Sequence, residues 1–211
     1  SQGSQVINEA IVKILPELLT MYDVVHQTGV LNIEQVKDIT KQLLHDHPFK
    51  DRYFADGFID VALFYPKVDM VITRAGSSMF EMVLWKLPMI IVPIPESISR
   101  DQRSNAYAMA AHGFATVLEE NNLGSNILLS AISRILTSEE SYNAMIKNSS
   151  IFDSSFSICS GDIISLFSPV INIDDIAFLL ASECNSFIII PLNLLLLIDC
   201  FGSETTLKLF T

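Results

Sequence analysis

Apolar residues in the first 150 positions follow two patterns. They recur at helical spacing over residues 6–22 and 33–45, which predicts two amphipathic helices. Pro16 lies inside the first of these segments, and we expect it to kink or break that helix. Short and almost wholly apolar runs, such as residues 88–93, are typical of strands in a parallel sheet that is covered on both faces.

The same signals alternate along this part of the chain. Strands are predicted at residues 22–27, 53–58, 69–73, 88–93 and 115–118, and helices at 6–22, 33–45, 59–65, 79–85, 101–112, 127–136 and 139–147. Gly113 is expected to end the helix of residues 101–112. Helices and strands in regular alternation with short connections predict an α/β domain, a Rossmann-like doubly wound parallel sheet.

The composition changes near residues 148–150. Residues 151–211 hold a single basic residue, Lys208, together with all three cysteines. We therefore predict two parts, an α/β domain over residues 1–150 and an atypical C-terminal extension over residues 151–211.

The extension contains a strongly apolar run at residues 187–198. This run includes Pro191 and Asn193 and is shorter than the about 20 apolar residues that a membrane-spanning helix needs. We expect a buried strand or helix there. Contact with a membrane surface is the alternative, although Lys208 alone offers little attraction to anionic lipid.

The charge excludes some classes of function. Thirteen basic and 24 acidic residues give a formal net charge of −11, which argues against a nucleic-acid partner because phosphate binding needs clustered Lys and Arg. The three cysteines lack the spacing of metal ligands and are too few for a disulfide framework, so a reducing cytoplasm fits. The sequence shows no signal peptide and opens inside a Gly/Ser loop, so we expect it to be part of a longer chain.

A first candidate binding segment precedes the opening helix. Small residues at positions 1–5 let backbone N–H groups approach an anion, and the hydroxyls of Ser1 and Ser4 add donors near the positive end of the helix dipole. This segment is either a cradle for a diphosphate or a solvated chain end.

A second candidate follows the predicted strand of residues 69–73. Gly76, Ser77 and Ser78 form a loop at a helix N-terminus, and Glu81 falls near the first turn, where the helix dipole favours a carboxylate. Glu81 could accept hydrogen bonds from the two hydroxyls of a ribose. The alternative is a capping box in which Glu81 reciprocates Ser78.

A third candidate opens the helix of residues 101–112. Gln102 and Asn105 are three residues apart and share one helical face, and side-chain amides suit sugar hydroxyls because they both donate and accept hydrogen bonds. The alternative is an ordinary polar helix start that is capped by Ser99 or Asp101.

Together these segments resemble the MurG family, the bacterial UDP-N-acetylglucosamine transferases that convert lipid I to lipid II. Residues 1–4 are similar to the end of the family's G-G-S-Q-G loop, and residues 58–81 to its F-I-D…A-D…R-[SA]-G…E region. Residues 87–106 are similar to its L-P…V-P…Q-x-x-N-A signature. The resemblance covers about residues 1–150. The sequence departs from the family pattern in two places: one residue fewer than expected lies between Gly76 and Glu81, and the acidic Asp101 stands where many relatives have a neutral polar residue.

The resemblance implies a binding role for seven residues toward the donor UDP-N-acetylglucosamine (UDP-GlcNAc). The implied contacts are Ser1 on the diphosphate with Gln2 beside it, the Ile59 backbone on the uracil, the Ser77 amide on the sugar, Glu81 on the ribose hydroxyls, and Gln102 with Asn105 on the sugar.

The resemblance also implies a fold and an activity. The chain would be the donor-binding, C-terminal half of a GT-B glycosyltransferase that transfers GlcNAc with inversion to a lipid-diphosphate-linked muramyl-pentapeptide, without metal or cofactor. A missing N-terminal domain, together with the strand that precedes Ser1, would bind that acceptor and supply the base, and the enzyme would lie peripherally on the inner face of the cell membrane. The alternatives are the soluble subunit of a two-piece lipid-linked GlcNAc transferase and a non-catalytic nucleotide-sugar-binding remnant.

Overall fold

A computed structural model describes residues 4–76, 78–95, 100–156, 186–190, 194–199 and 206–209. The chain divides into two compact units, Ser1–Ser149 and Ser150–Thr211. The roles assigned above to residues 1–150 and 151–211 remain predictions.

The first unit alternates helices and strands in the predicted order. Its elements are α1 (Gln5–Leu18), β1 (Val24–Gln27), α2 (Ile33–Leu43), β2 (Tyr53–Asp56), β3 (Val71–Thr73), α3 (Ser78–Leu84), β4 (Met89–Ile91), α4 (Arg100–Ala111), β5 (Ala115–Val117), α5 (Ser125–Thr137) and α6 (Glu139–Phe156), which runs on into the second unit. Short 3₁₀ turns lie at Lys50–Arg52, Val61–Leu63, Tyr65–Lys67 and Glu120–Asn122.

The strands of the first unit form two parallel sets. β1 pairs with β2, with Val24 opposite Tyr53. β4 lies between β3 and β5, so that Met89 is opposite both Val71 and Ala115. No backbone ladder among the described residues joins the two sets. The prediction of parallel strands flanked by helices, in a Rossmann-like arrangement, is confirmed.

One helix packs against both sets of strands. The apolar face of α1, which includes Ile7, Ile11 and Ile14, is buried in one cluster with residues of β4 and α5. Val24 of β1 and Ile72 of β3 are partly buried against the same cluster. The apolar spacing that predicts α1 therefore also sets what the helix covers, and it leaves the N-terminus of α1 at the edge of the sheet.

Two details of the prediction are wrong. Pro16 does not break the first helix, which continues beyond it to Leu18. The proline removes the one helical hydrogen bond that its N–H would donate, and the expected kink stays a prediction. The helix predicted at residues 59–65 is instead a pair of 3₁₀ turns. The Asp60 side chain accepts a hydrogen bond from the Ala62 N–H, and Pro66 offers no N–H to extend an α-helix.

The strands of the second unit form an antiparallel sheet. β6 (Ser186–Ile190), β7 (Leu194–Asp199) and β8 (Thr206–Leu209) pair in chain order, with Phe187 opposite Leu197. The single apolar segment predicted at residues 187–198 is thus two strands, and residues 191–193 lie outside the described residues. Within the described part of the chain, no helix has the length and apolar character needed to cross a bilayer.

Candidate functional site

Arg74 joins three segments at the carboxyl edge of the second set of strands. It follows β3 directly, and its Nη1 donates hydrogen bonds of 3.2 Å to the carbonyls of Val92 and Pro93, just beyond β4. Its Nη2 donates to Oγ of Ser4 at 2.7 Å and forms an ion pair with Glu120, after β5. This edge is where an open α/β sheet binds its ligands.

Ser4 begins α1 and brings the positive end of that helix to the same edge. Its Oγ accepts a hydrogen bond from the Ile7 N–H, the usual bond of a serine N-cap. The Ser4 hydroxyl still has its own proton to donate, since both of its observed partners are donors. Ser1, Gln2 and Gly3 lie outside the described residues, so the predicted diphosphate contacts of Ser1 and Gln2 remain predictions.

Glu81 lies in the first turn of α3 and is half-buried. The Tyr65 hydroxyl donates a hydrogen bond to its Oε2 at 3.3 Å. Burial raises the pKa of Glu81, and the hydrogen bond from Tyr65 partly opposes this rise. Among the described residues, the carboxylate is thus held by Tyr65 rather than by a capping box with Ser78. Ser77 lies outside the described residues, and its contact remains a prediction.

The backbone of Ile59, predicted to contact a uracil, lies in a loop that is tied to β1. Ile59 is buried, and its N–H donates a hydrogen bond of 3.0 Å to Oε1 of Gln27, the last residue of β1. No described residue donates a hydrogen bond to the Ile59 carbonyl. The loop is therefore anchored through the N–H while the carbonyl keeps its acceptor capacity.

Gln102 and Asn105 lie in the first half of α4, on one face and only partly exposed. Oε1 of Gln102 is enclosed, and no described residue donates a hydrogen bond to it. An enclosed acceptor without a partner costs about 1–3 kcal/mol, so such groups are uncommon in folded proteins. A ligand hydroxyl or N–H at this position would supply the missing donor. The side chain of Asp101 lies outside the described residues.

His26 belongs to a buried hydrogen-bond network. It is 7% exposed, and its Nε2 and Nδ1 contact Oδ1 of Asn8 and the Tyr53 hydroxyl at 3.0 and 2.9 Å. Burial lowers the pKa of His26 to about 4, which keeps the ring neutral near pH 7. Among the described residues, no group of three His, Cys, Asp or Glu side chains is placed to hold a metal ion.

The sequence motifs indicate no role for three residues that organise this edge: Gln27, Tyr65 and Arg74. Arg74 has a signal in the sequence, because a basic residue directly follows a buried strand and precedes a Gly/Ser loop. Tyr65 and Gln27 have no such signal, since Tyr65 contacts a residue 16 positions away and Gln27 contacts one 32 positions away. Only the packing of the loops brings these pairs together.

Comparisons with known proteins identify the fold and the family of the chain. Residues 1–157 match the family model described as the glycosyltransferase family 28 C-terminal domain. The crystal structure of Acinetobacter baumannii MurG superposes with a TM-score of 0.57 at 22% identity, over 69% of this chain and 40% of that one. Fold and family together define a Rossmann-like half of the GT-B class of glycosyltransferases.

Comparison with relatives of known sequence narrows the family to which the chain belongs. It is 32% identical over 149 residues to UDP-N-acetylglucosamine--N-acetylmuramyl-(pentapeptide) pyrophosphoryl-undecaprenol N-acetylglucosamine transferase 3 of Bacillus thuringiensis, covering 70% of this chain and 40% of that protein. A transferase of the same description from Clostridium perfringens is 32% identical over 154 residues, covering 72% and 41%. The chain belongs to glycosyltransferase family 28 as a MurG-like C-terminal domain, and it spans about two fifths of the length of these relatives.

Proposed function

We propose that residues 1–150 bind UDP-GlcNAc as the donor half of an inverting glycosyltransferase. The acceptor would be a lipid-diphosphate-linked muramyl-pentapeptide, in peptidoglycan synthesis. The observation that carries the proposal is the half-buried Glu81 carboxylate beyond β3, which accepts a hydrogen bond from the Tyr65 hydroxyl. The relatives are named for GlcNAc transfer to a pyrophosphoryl-undecaprenol acceptor, which supports the choice of substrates.

The donor would be bound in three parts. The N-terminus of α1, capped by Ser4, attracts the diphosphate through the helix dipole, with Ser1 as a direct contact and Gln2 beside it. Glu81 accepts hydrogen bonds from the ribose hydroxyls, and the Ile59 carbonyl accepts one from the uracil N3–H. The GlcNAc would lie against α4 and the Ser77 amide.

Two residues of α4 would bind the sugar. The enclosed Oε1 of Gln102 accepts from a sugar hydroxyl or from the acetamido N–H, which supplies the donor that no described residue provides. Asn105, one helical turn further on, both donates and accepts. GlcNAc would then be preferred because it offers a hydrogen-bond donor to an enclosed acceptor that none of the described residues pairs.

The reaction would be a single displacement. An acceptor hydroxyl attacks the anomeric carbon as the bond to UDP breaks, a base takes the hydroxyl proton, and the departing diphosphate carries away the bonding electrons. The helix terminus and loop amides of this half stabilise the charge on the leaving UDP. The base and the acceptor site belong to a separate N-terminal half, and because the acceptor is a lipid, the assembled enzyme would work at the inner face of the cell membrane.

Calorimetric titration of the 211-residue chain with UDP-GlcNAc tests the proposal. We expect saturable binding that is tighter than for UDP-glucose, and a loss of about 1–3 kcal/mol in Glu81→Ala, the cost of leaving ligand hydroxyls unmatched. Glu34→Ala, on the exposed side of α2, is the matched control and should bind like the unchanged chain. A folded chain that binds neither nucleotide sugar overturns the proposal.

A transfer assay separates the remaining alternatives. The chain is mixed with the N-terminal half of a MurG relative and a lipid-linked muramyl-pentapeptide. Appearance of the GlcNAc-containing product supports a donor half that works with a separate acceptor half. Donor binding without transfer in every combination supports a non-catalytic binding module.

A further inference from the structure

Tyr65 lies behind the carboxylate of Glu81 and is almost completely buried. Only 4% of its surface is exposed, and it lies in the 3₁₀ turn Tyr65–Lys67 that precedes β3. Its ring packs against the indole of Trp85, with the centroids 6.2 Å apart. Glu81 and Trp85 are four residues apart and are joined by a backbone hydrogen bond of 3.0 Å, so Tyr65 covers one face of this helix and fixes where that face points.

The hydrogen bond between Tyr65 and Glu81 leaves most of the carboxylate free. A carboxylate offers about four lone-pair positions, and Tyr65 uses one of them on Oε2. No described residue donates a hydrogen bond to Oε1. The buried phenol therefore holds one oxygen, and the other oxygen is left for a ligand.

Stability alone does not explain a glutamate at this position. A glutamine would accept the same hydrogen bond from Tyr65 without the cost of burying a charge. Burial raises the pKa of Glu81, so the fold disfavours the charged form, and the Tyr65 bond is the contact that counters this effect. A charged acceptor is useful where two hydroxyls must be bound at once.

We propose that Tyr65 is a positioning residue that holds Glu81 to accept hydrogen bonds from both hydroxyls of a vicinal diol, the 2′- and 3′-hydroxyls of the donor ribose. This inference rests on the proposed function and extends it to a specificity for ribose over deoxyribose. Tyr65 does not touch the ligand, since its hydroxyl is occupied by Oε2 and its ring is enclosed.

The test measures the binding of UDP and of 2′-deoxy-UDP to the full chain between pH 5 and pH 8. The unchanged chain should prefer UDP, and its UDP affinity should fall on acidification as Glu81 is protonated. Tyr65→Phe keeps the ring and removes the hydroxyl. We expect UDP binding to weaken by about 10-fold or more, the preference over 2′-deoxy-UDP to shrink toward unity, and the acid loss of binding to move to higher pH.

A matched control uses the other tyrosine–glutamate pair of the same unit. The Tyr107 hydroxyl donates to Oε1 of Glu119 at 2.6 Å, and Tyr107 is 46% exposed and has no role in the proposed site. Tyr107→Phe should leave the affinities, their ratio and the pH profile unchanged. In a Glu81→Ala background, Tyr65→Phe should have no further effect on the ratio, because the side chain through which Tyr65 acts is gone.

The outcomes separate this inference from the proposed function. A folded, unchanged chain that binds no UDP overturns both. If the unchanged chain binds UDP, but Tyr65→Phe weakens both nucleotides equally and leaves the pH profile in place, the positioning role is wrong and the donor site stands. Should Tyr65→Phe fail to fold, site-specific 3-fluorotyrosine, a more acidic and better donor, must move the acid loss to lower pH; an unmoved profile overturns the inference.

Discussion

Nη2 of Arg74 donates a hydrogen bond of 2.7 Å to Oγ of Ser4, across 70 positions of the sequence. The bond joins the residue that caps α1 to the residue that ends β3. The same guanidinium holds the Val92 and Pro93 carbonyls and pairs with Glu120. Three segments that are distant in the chain therefore meet on the planar guanidinium of a fourth, and these contacts hold the edge of the sheet together.

Arg74→Lys should destabilise the first unit although it keeps the charge. A lysine ammonium cannot reproduce the fork that donates to Ser4, to two carbonyls and to Glu120, so a partly buried carboxylate and two carbonyls lose partners. We expect the free energy of unfolding to fall by about 1–3 kcal/mol, measured by urea denaturation. Arg134→Lys is the control, because Arg134 makes one exposed bond of 3.4 Å, to Thr116. Equal stability of the two variants would contradict this role.

Replacing Gly113 by alanine should destabilise the first unit, whereas the same change at Gly124 should have little effect on its stability. Gly113 follows α4 with a φ of +72°, and a Cβ built on it would collide with the amide of Asn148. Gly113→Ala combines a left-handed backbone with that collision, so we expect a loss of about 1–3 kcal/mol in unfolding free energy. Gly124 has a φ of −75° and no atom within 4 Å of an added Cβ. A thermal melt of Gly124→Ala should differ little from that of the unchanged chain.

A buried hydrogen-bond network around His26 ties α1 to the first set of strands. Nδ2 of Asn8 donates to the Thr28 carbonyl at 2.9 Å, so Oδ1 of Asn8 faces the ring of His26 as an acceptor. The neutral ring then carries its proton on Nε2, and Nδ1 accepts from the Tyr53 hydroxyl. Burial also raises the pKa of Tyr53 to about 12, so this hydroxyl stays protonated at physiological pH.

This network should make stability depend on pH in the mildly acidic range. The pKa of His26 falls from 6.5 when unfolded to about 4 when folded, so the unfolded chain binds more protons between these values. The contribution of His26 to the free energy of unfolding is complete above pH 6.5, falls as the pH drops through this window, and is lost by pH 4. At its maximum this contribution is roughly 3 kcal/mol.

Comparison of the unchanged chain with His26→Gln measures that contribution. Unfolding free energies from urea denaturation at several pH values between 4 and 8 should converge as the pH falls, because the variant lacks the titrating ring. Subtracting the two curves removes the carboxylates that titrate in the same range. Parallel curves would mean that His26 does not titrate differently in the folded and unfolded states.

The sequence was sufficient for the order of elements and insufficient for their ends. Apolar spacing predicts α1 and the alternation of strands, because burial of one face dominates the energetics of each element. It fails at residues 59–65, where the Asp60 cap and Pro66 favour 3₁₀ turns over a helix. It also misplaces the end of α1, since the helix continues past Pro16 to Leu18.

The motifs of the candidate site could be predicted from the sequence, but the residues that hold the site residues in place could not. Glu81 and Gln102 could be selected because loops at helix N-termini and strand ends are where such folds bind ligands. The partners of these residues are set by tertiary packing. Nothing in the local sequence indicates that the Tyr65 hydroxyl meets Glu81, or that Oε1 of Gln102 is enclosed with no donor from the described part of the chain.

Gln102→Met should separate the stability of the chain from its function. Methionine has a similar volume and no group that needs a hydrogen bond, so the variant removes an enclosed acceptor that has no partner among the described residues. We therefore expect the thermal midpoint to stay level or to rise. The affinity for UDP-GlcNAc should fall about 5- to 20-fold, because the sugar loses one hydrogen bond. The affinity for UDP, which lacks the sugar, should not change.

Gln42→Met, on the exposed side of α2, controls for the general effect of an added methionine and should alter neither affinity. Two results would count against the role of Gln102. A clear loss of stability in Gln102→Met would mean that the amide supports the fold, and an equal loss of UDP and UDP-GlcNAc binding would place its action on the nucleotide. A buried group kept at a cost to stability is typical of a binding site. A stable variant that binds UDP and no longer favours the sugar would show that Gln102 is such a group.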